Sequence, residues 1–318
     1  MATYLVTGVA GFIGSSIARA LIARGERVRG IDNFSTGKRE NLIGLEAVDL
    51  IEGDLNSPGL AQRACREVGC IFHEAALPSV PRSVQDPVAS NAANVDATVK
   101  LLDAARNCGA RRVVYAGSSS AYGNAPSLPK REDMLPAPLS PYAASKLAGE
   151  LYMSVFYRVY GLETVTLRYF NVFGPHQDPT SQYSGVLAVF ISRMLRHERP
   201  TIHGDGEQSR DFTYIDNVVS ANLLAAAANA AKVAGRVFNV ATGSRISLNQ
   251  TVEMLREMTD YKGEVAYDDE RPGDVKHSLA DISSAQSRFG YKVEVGFRDG
   301  LRNTVDWYRR QAARKQAG

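Results

Sequence analysis

Tyr142 and Lys146 are the first residues whose types and spacing indicate chemistry. They open and close the run Tyr142-Ala143-Ala144-Ser145-Lys146, which follows Ser140-Pro141. On a helix this spacing places both side chains on one face, a turn apart. A tyrosine with a pKa of about 10 acts as a base near neutrality only when a nearby positive charge stabilises its phenolate. Lys146 supplies that charge, so the pair predicts acid–base catalysis, although such pairs also arise by chance on amphipathic helices.

Ser118 is the third candidate catalytic residue. The run Ser118-Ser119-Ser120 directly follows an apolar strand that ends at Ala116-Gly117. Ligands of open α/β sheets bind at the carboxyl ends of the strands, so the serine run lies where a substrate would bind. Ser118 can share a proton network with Tyr142 and a substrate hydroxyl. A serine run is more often an ordinary loop, and its location after a buried strand favours the functional interpretation.

A glycine-rich turn near the amino terminus indicates a dinucleotide site. The strand Tyr4–Thr7 runs into Gly8-Val9-Ala10-Gly11-Phe12-Ile13-Gly14 and then into a predicted helix. Gly8 permits the tight turn, Gly11 lets the backbone approach a pyrophosphate, and Gly14 allows the helix to pack closely on the strand. Backbone N–H groups at the start of the helix can then donate to phosphates. The glycines alone leave open a packing turn without a ligand.

Asp32 ends the second predicted strand, where a carboxylate can accept hydrogen bonds from a ribose 2′-hydroxyl. It would repel a 2′-phosphate, which favours NAD over NADP, although Lys38 and Arg39 follow closely and could offset the repulsion. An Asx turn opened by Asp32 is the structural alternative. The residues predicted to bind the cofactor are Gly8, Gly11, Phe12, Ile13, Gly14, Asp32, Asn33, Ser35, Thr36, Gly37, Asp54, Leu55, Ala75, Ala76, Tyr142, Lys146 and Tyr169.

Alternating strand and helix patterns position these residues. The predicted strands are Tyr4–Thr7, Arg27–Ile31, Asp49–Glu52, Cys70–His73, Arg112–Ala116 and Thr164–Arg168. The predicted helices are Phe12–Arg24, Leu60–Glu67, Ala92–Cys108, Tyr142–Tyr160, Val186–Arg196, Asp216–Ala231 and Leu248–Met258. Strands joined by helical crossovers predict an α/β fold with a doubly wound parallel sheet. We expect a Rossmann domain of residues 1–173 plus about 212–243, and a smaller α/β substrate domain of about 174–211 and 244–318.

Composition limits the classes of function. Lys and Arg number 37 and Asp and Glu 34, without a basic cluster, so neither nucleic acid nor a membrane surface is an expected partner. Three cysteines without a CxxC pair and five histidines without an HExxH motif predict reduced thiols and no metal site. No apolar run approaches the roughly 18 residues of a membrane span, and the amino terminus does not resemble a signal peptide. We therefore expect a cytoplasmic enzyme.

The order of these motifs resembles the extended short-chain dehydrogenases. Within that family the chain is similar, over nearly its whole length, to the UDP-hexose 4-epimerases, especially the UDP-N-acetylglucosamine 4-epimerases. The resemblance implies that hydride passes from C4 of the sugar to bound NAD⁺ while Tyr142 removes the 4-hydroxyl proton. The 4-keto sugar then turns over and receives hydride on its other face. The motifs are Thr7-Gly8-x-x-Gly11-x-x-Gly14, Asp32-Asn33, His73-Glu74-Ala75-Ala76, Ser118-Ser119-Ser120-Ala121-Tyr122-Gly123, Tyr142-x-x-x-Lys146 and Arg168-Tyr169-Phe170-Asn171.

The same resemblance implies a set of residues that bind a UDP-sugar. Asn171 and Arg210 would hold the diphosphate, and Arg271 with Asp274 the diphosphate and ribose. Relatives with a tyrosine at the position of Ser278 handle only non-acetylated sugars, so the small serine implies room for an N-acetyl group. Taken singly, each arginine can be a solvated surface charge, and Ser278 a polar loop residue. The assigned residues are Ser79, Ser118, Ser119, Tyr142, Asn171, Gly185, Val186, Arg210, Arg271, Asp274 and Ser278.

A homodimer is also expected from the resemblance. Helices Ala92–Cys108 and Tyr142–Tyr160 would pair across a two-fold axis into a four-helix bundle. The second helix carries the apolar residues Leu151, Val155 and Val159 at positions that suit an exposed face. Core packing would explain these residues equally well.

Sister activities on the same scaffold are the alternatives. Sugar-nucleotide dehydratases resemble Thr-Asp-Glu at positions 118–120, and UDP-glucuronate decarboxylases usually carry Glu at the last of them. This chain has only hydroxyl groups there, so dehydration lacks its acid–base pair and an epimerase is favoured. An alcohol dehydrogenase that exchanges free NADH does not explain the sugar-nucleotide features. A non-catalytic nucleotide sensor typically lacks the tyrosine or the lysine, and both are present here.

Overall fold

The computed structural model describes residues 3–179, 185–270 and 276–317, and for residues 314–317 the backbone alone. The strands are β1 (Thr3–Thr7), β2 (Arg27–Asp32), β3 (Asp49–Glu52), β4 (Cys70–His73), β5 (Arg112–Ser118), β6 (Glu163–Tyr169), β7 (Val172–Phe173), β8 (Thr201–His203), β9 (Ser209–Arg210), β10 (Thr213–Tyr214), β11 (Arg236–Val240), β12 (Ile246–Ser247) and β13 (Ala266–Asp268). The α-helices are α1 (Phe12–Ala23), α2 (Leu60–Cys65), α3 (Val80–Gln85), α4 (Pro87–Asn91), α5 (Ala97–Asn107), α6 (Pro141–Tyr160), α7 (Val186–Leu195), α8 (Ile215–Ala227), α9 (Ala230–Val233), α10 (Leu248–Thr259), α11 (Ser283–Phe289) and α12 (Phe297–Ala317). Two 3₁₀ turns (Arg39–Leu42 and Ser119–Tyr122) and a π-helical turn (Ala92–Asp96) complete the order.

Seven parallel strands form the central sheet in the order β11-β6-β5-β4-β1-β2-β3. All six strands predicted from the sequence are present, within two residues of their predicted ends. The seventh, β11, comes from the second half of the chain and pairs with β6. The strand order reverses between β1 and β4, and ligands of doubly wound folds bind beyond the carboxyl ends of the strands at such a point. The predicted doubly wound α/β fold is confirmed.

Helices cover both faces of the sheet because its strands are apolar on both sides. Leu5 and Val113 belong to a buried cluster with side chains of α2, α5 and α6. Their neighbours Val6 and Val114 belong to a second cluster, which includes side chains of α1 and α8. Successive side chains of a strand point to opposite faces, so an unbroken apolar run is the pattern of a strand buried on both sides.

The predicted helix Asp216–Ala231 is wrong at its carboxyl end. Helix α8 ends at Ala227, and a separate short helix, α9, begins at Ala230. The fully buried Arg112 stops α8, because its Nη1 donates to the carbonyl oxygens of Ala225, Ala226 and Ala228. A sequence pattern read only along the helix does not reveal a cap that comes from a distant strand.

The predicted helix Ala92–Cys108 begins earlier than expected and contains an irregular turn. Helix α4, the π-helical turn Ala92–Asp96 and α5 follow one another, with helical backbone angles at both junctions. Such π-helical turns are frequent at functional sites. Here the turn carries Asn94, a buried side chain that faces the start of α6.

The later part of the chain contributes α7, α10 and α12 and the short strand pairs β8–β13 and β9–β12. Helices α11 and α12 lie where no element was predicted. Leu187 of α7 and Leu255 of α10 share one buried cluster with Val6 of the central sheet. The hydrophobic core therefore runs continuously from the sheet into this region, and the division into two domains stays a prediction.

Candidate active site

The glycine-rich turn after β1 is shaped by very close backbone contacts. Gly8 has a φ of +67°, and a Cβ there would lie 2.9 Å from the Cα of Ala75. A Cβ on Gly14 would lie 2.2 Å from the carbonyl oxygen of Gly8, so α1 packs this close only with glycine. No side chain of the described residues caps α1 at Gly11, so the first N–H groups of the helix, at Phe12 and beyond, can donate to a ligand. This cradle fits the pyrophosphate of a dinucleotide.

Asp32 is almost fully buried at the end of β2. Its Oδ2 accepts the N–H of Ala10 at 2.9 Å, and its Oδ1 accepts the N–H of Phe34 at 2.8 Å. Burial raises the pKa of the carboxyl group, and the two hydrogen bonds oppose that shift. Asp32 therefore does open the Asx turn considered above, and it also faces the glycine-rich turn. Each oxygen has a further lone pair that a ribose hydroxyl can use.

The loop after Asp32 gathers the other residues predicted to bind the ribose. Asn33 donates from Nδ2 to Oδ2 of Asp54 at 2.8 Å and accepts the N–H of Ser35 at 3.0 Å. Ser35 and Thr36 are exposed, and a Cβ on Gly37 would lie 2.8 Å from the Asp32 carboxylate. The neighbour of Asp54, Leu55, packs into the core, so only its backbone can face a cofactor.

The two cations that follow this loop are paired with other groups. Lys38 Nζ lies 2.6 Å from Oδ2 of Asp178. Arg39 Nη2 lies 2.7 Å from Oε2 of Glu52, and its guanidinium stacks 4.3 Å from the centre of the Phe34 ring. Exposed ion pairs of this kind are weak. Because both cations are paired, the carboxylate of Asp32 favours NAD, whose ribose carries a 2′-hydroxyl and no 2′-phosphate.

A buried chain of hydrogen bonds fixes the carboxyl ends of β1 and β4. Thr98 donates to the carbonyl oxygen of Asn94, so its Oγ1 accepts from His73 Nε2, at 2.9 Å. His73 Nδ1 then accepts the hydroxyl of Thr7 at 2.8 Å, and that hydroxyl oxygen accepts the N–H of Ala75. Burial lowers the pKa of His73 to about 3, so the ring is neutral. These hydrogen bonds hold Ala75 against Gly8.

Ser118 lies at the carboxyl end of β5, and Tyr142 and Lys146 lie in the first two turns of α6. Ser118 ends β5, and its Oγ lies 2.8 Å from Oγ of Ser120. Burial raises the pKa of Tyr142, and a hydrogen bond with Ser118 lowers it. Lys146 is 3% exposed, and its Nζ lies 4.4 Å from the centre of the Tyr115 ring. Burial lowers the pKa of Lys146 to about 8. The arrangement can move a proton to and from a substrate hydroxyl.

Two side chains that sequence reasoning missed hold the start of α6. Ser83 of α3 accepts the N–H of Tyr142 on Oγ at 3.0 Å. Asn94 donates from Nδ2 to Ser145 Oγ at 2.9 Å and accepts the N–H of Leu77 at 2.7 Å. Both residues come from elements that the sequence patterns described poorly, the short helix α3 and the π-helical turn. No spacing motif connects them to Tyr142.

Glu74 is a third residue for which sequence analysis proposed no role. Tyr169 Oη donates to Oε1 of Glu74 at 3.0 Å, and Nδ2 of Asn222 donates to the same hydroxyl at 2.8 Å. Burial raises the pKa of Glu74 to about 7, against the effects of Tyr169 and Lys146. Glu74 lies in the motif His73-Glu74-Ala75-Ala76, but the sequence does not reveal that a buried lysine lies nearby.

On the substrate side, Asn171 and Ser278 lie together around the backbone of Asp211. Asn171 donates from Nδ2 to the carbonyl oxygen of Asp211 and to Ser278 Oγ, both at 3.1 Å. Ser278 Oγ also accepts the N–H of Asp211 at 3.2 Å. The carboxylate of Asp211 is fully buried and accepts the N–H and the hydroxyl of Thr242, among other donors. Sequence analysis did not single out Asp211.

The other residues assigned to a UDP-sugar belong to separate elements of the fold. Arg210 of β9 donates from Nη1 to the carbonyl oxygens of Ser209 and Lys276. Gly185 precedes the first residue of α7, Val186, and Ser119 begins the 3₁₀ turn after Ser118. Ser79 caps α3 by accepting the N–H of Arg82 at 3.1 Å. Two assigned residues, Arg271 and Asp274, lie outside the described residues.

A dinucleotide cradle beside a serine, a tyrosine and a lysine is the arrangement of an enzyme that couples proton transfer to hydride transfer. The sequence profile of the NAD dependent epimerase/dehydratase family matches residues 4–241. A UDP-glucose 4-epimerase of Mycolicibacterium smegmatis is 37% identical over 317 residues, which are 97% of this chain and 99% of the relative.

Two solved structures extend the comparison. A UDP-N-acetylglucosamine 4-epimerase from Methanobrevibacter ruminantium M1, in complex with UDP-N-acetylmuramic acid, is 43% identical with a TM-score of 0.93, over 98% of this chain and 99% of its own. A UDP-glucuronic acid 4-epimerase from Bacillus cereus, in complex with UDP-glucuronic acid and NAD, is 32% identical with a TM-score of 0.90, over 97% of this chain and 99% of its own. The chain belongs to the NAD dependent epimerase/dehydratase family. The predicted family, enzyme class and NAD cofactor are thereby confirmed.

Two further properties concern the described residues only. None of their helices is long and apolar enough to cross a bilayer. Their His, Cys, Asp and Glu side chains form no group of three or more that could hold a metal ion.

Proposed function

We propose that the protein is a UDP-hexose 4-epimerase, which inverts the C4 hydroxyl of a UDP-linked sugar by way of a 4-keto intermediate. The observation that carries the proposal is the pairing of Tyr142 and Lys146 beside a run, Ser118-Ser119-Ser120, that offers hydroxyl groups and no carboxyl group. Relatives named for epimerisation of UDP-glucose, UDP-N-acetylglucosamine and UDP-glucuronic acid support a UDP-sugar as the substrate class. A decarboxylase or a dehydratase lacks its usual acid at Ser119 and Ser120.

NAD, when bound, would supply the hydride acceptor and donor for C4 of the sugar. The residues that would hold it are those of the glycine-rich turn, with Asp32 at the ribose. Tyr142 takes the proton of the 4-hydroxyl, and the ammonium of Lys146 stabilises the phenolate that results. Ser118 donates a hydrogen bond that orients the reacting oxygen. Tyr142 returns its proton when the sugar is reduced on the other face, so the enzyme ends in its starting state.

The substrate preference follows from the size of Ser278. Its hydroxyl contacts Asn171, the residue that we assign to the diphosphate end of the substrate. A small side chain here leaves volume for a 2-acetamido group, so we propose that UDP-GlcNAc and UDP-GalNAc are interconverted, alongside UDP-glucose and UDP-galactose. A UDP-glucuronic acid substrate is the second candidate, favoured by the similarity to the Bacillus cereus enzyme.

The test is an NMR assay of purified protein, without added cofactor, on each of these UDP-sugars in turn. Appearance of the C4 epimer supports both the reaction and tightly held NAD, and the ratio of the rates on acetylated and non-acetylated sugars tests the role of Ser278. A Tyr142→Phe variant is the control and should lose activity by about 10²- to 10⁴-fold. A wild-type protein that converts none of the sugars, even with NAD supplied, would contradict the proposal.

We also propose a homodimer, with α6 at its interface, in the cytoplasm. Large apolar side chains are exposed on α6 and on the adjoining α3 and α4, including Val84, Val88, Leu151, Val155 and Val159. Apolar side chains grouped in this way mark a surface for a protein partner, and a second copy buries such a surface symmetrically. Light scattering on the purified protein measures the mass directly, and a monomer at micromolar concentration would contradict this interface.

A further inference from the structure

Tyr142 is the second residue of α6, in the first turn, where backbone N–H groups have no acceptor within the helix. Pro141, the first residue, has no N–H group to satisfy. The side chain of Ser140 caps the helix by accepting the N–H of Ala143 at 3.1 Å. The N–H of Tyr142 therefore depends on an acceptor from another element of the fold.

Ser83 of α3 is that acceptor. Its side chain is fully buried, and its Oγ accepts the N–H of Tyr142 at 3.0 Å. The hydroxyl proton of Ser83 is donated to the carbonyl oxygen of Val80 at 2.7 Å, which leaves the lone pairs of the oxygen for Tyr142. Because a backbone N–H can only donate, the direction of this hydrogen bond follows from the geometry alone.

The carbonyl group of Tyr142 is held as well. Ser145 donates from Oγ to this carbonyl oxygen at 2.8 Å, and the same Oγ accepts from Nδ2 of Asn94 at 2.9 Å. Both polar groups of the Tyr142 backbone thus have side-chain partners. Asn94 reaches Tyr142 through an intermediate side chain, whereas Ser83 contacts it directly. Removing the Ser83 hydroxyl is therefore the most direct way to release the backbone of Tyr142 from its neighbours.

The turn of α3 that carries Ser83 follows Ser79, a residue that we assign to the UDP-sugar. Ser83 donates its own N–H to the carbonyl oxygen of Ser79 at 3.0 Å, and Ser79 Oγ accepts the N–H of Arg82 at 3.1 Å. One short turn thus joins a residue of the substrate side to the backbone of Tyr142. Neither of these two hydrogen bonds uses the Ser83 hydroxyl, so Ser79 should stay in place when that hydroxyl is removed.

We propose that Ser83 is a positioning residue for Tyr142: its hydroxyl fixes the start of α6 so that the phenol lies within hydrogen-bond reach of the sugar hydroxyl. Ser83 acts through the backbone of Tyr142 and exchanges no proton with the substrate. Proton transfer needs a separation of about 2.6–3.2 Å between the two oxygens, and a misplacement of about 1 Å can slow a reaction about 100-fold. This inference rests on the proposed epimerase function for the chemistry, but the placement of Tyr142 concerns only residues of this chain.

The experiment compares wild-type protein with Ser83→Ala, which removes the acceptor, and with Ser83→Cys, which keeps a side chain of similar shape with a weaker acceptor. We expect kcat to fall about tenfold in Ser83→Ala and by a smaller factor in Ser83→Cys, with KM for the UDP-sugar within about twofold of wild type. If Ser83→Ala does not fold, the kcat and KM of Ser83→Cys carry the test. A higher KM at unchanged kcat would overturn the inference.

Ser90→Ala is the matched control. Ser90 lies in the neighbouring helix α4 and is 1% exposed, and its Oγ has no hydrogen-bond partner among the described residues. The substitution removes the same atom from an equally buried site, so kcat should stay within about twofold of wild type. An equal loss of kcat in Ser90→Ala and Ser83→Ala would mean that packing, and not the hydrogen bond to Tyr142, is responsible, which would overturn the inference.

A second readout does not depend on turnover. Protein labelled with fluorotyrosine gives a fluorine NMR signal for Tyr142, which is assigned by its absence from Tyr142→Phe. We expect Ser83→Ala to shift this signal and Ser90→Ala to leave it unchanged. A signal that does not move in Ser83→Ala would overturn the inference. If the wild-type protein epimerises no UDP-sugar and the signal still moves, the proposed function is wrong and the positioning role of Ser83 is supported.

Discussion

The cofactor side and the substrate side of the site are assembled in different ways. On the cofactor side, several of the predicted residues directly follow a strand of the central sheet, and their contacts join neighbouring strand ends. Asp32 and Ala10, for example, are 22 residues apart. On the substrate side, Asn171 and Ser278 are 107 residues apart and belong to irregular segments. Their positions depend on contacts between segments and not on one strand end.

This difference shows where the two sides are vulnerable. The cofactor side depends on the absence of side-chain atoms, because a Cβ on Gly8 or Gly14 would enter neighbouring backbone. The substrate side depends on one fully buried carboxylate, that of Asp211, which joins the loops at Thr242 and Ala280. We therefore expect an added side-chain atom at Gly8 or Gly14 to weaken NAD binding. Loss of the hydrogen-bond acceptor at Asp211 should weaken UDP-sugar binding.

The largest effect is expected for Asp211→Ala. The substitution leaves the N–H groups of Thr242, Gly243 and Ala280 without their acceptor, and unpaired buried donors cost about 1–3 kcal/mol each. We expect the free energy of unfolding to fall by about 3–5 kcal/mol, measured by urea denaturation. Under native conditions the variant should lose UDP affinity while its NAD affinity stays within about twofold, as calorimetry can show. The exposed Asp205→Ala is the matched control. Equal losses of both affinities would argue against two separately supported sides.

Sequence patterns could predict candidate residues on the cofactor side for the same reason. Gly8, Asp32, Ser118 and Tyr142 each mark the end of a strand or the start of a helix, and such positions leave a local signal in residue type and spacing. The carboxyl end of α8 has no such local signal, because Arg112 of a distant strand determines where the helix ends.

Asn94, Ser83 and Glu74 were missed for a related reason. Each acts through a single contact with an element far away in the chain, to Ser145, Tyr142 and Tyr169 respectively. A polar residue in a short helix or after a strand is common, and only the fold shows that it faces a catalytic group. The buried role of Asp211 could not be predicted either, since its partners come from two later loops.

An intermediate effect is expected for Gly14→Ala on the cofactor side. The added methyl group would lie 2.2 Å from the carbonyl oxygen of Gly8, so the turn and α1 must separate. Overpacking of this kind costs about 1–3 kcal/mol, and the N–H groups of the helix start then miss the pyrophosphate. We expect NAD affinity to fall at least about tenfold with UDP affinity retained. Gly296→Ala, where a Cβ meets open space, is the control. If the purified Gly14→Ala variant kept a normal NAD content, the assignment of the glycine-rich turn to the pyrophosphate would be contradicted.

The smallest effect is expected for Asp32→Asn, which tests whether charge or geometry selects the cofactor. The amide oxygen can replace only one of the two acceptors now used by Ala10 and Phe34, so NAD affinity should fall about tenfold. NADP affinity should rise only slightly, because Lys38 and Arg39 are already paired with Asp178 and Glu52. Calorimetry with both cofactors measures the two changes. A variant that prefers NADP would mean that these ion pairs open readily, and that the carboxylate alone excludes the 2′-phosphate.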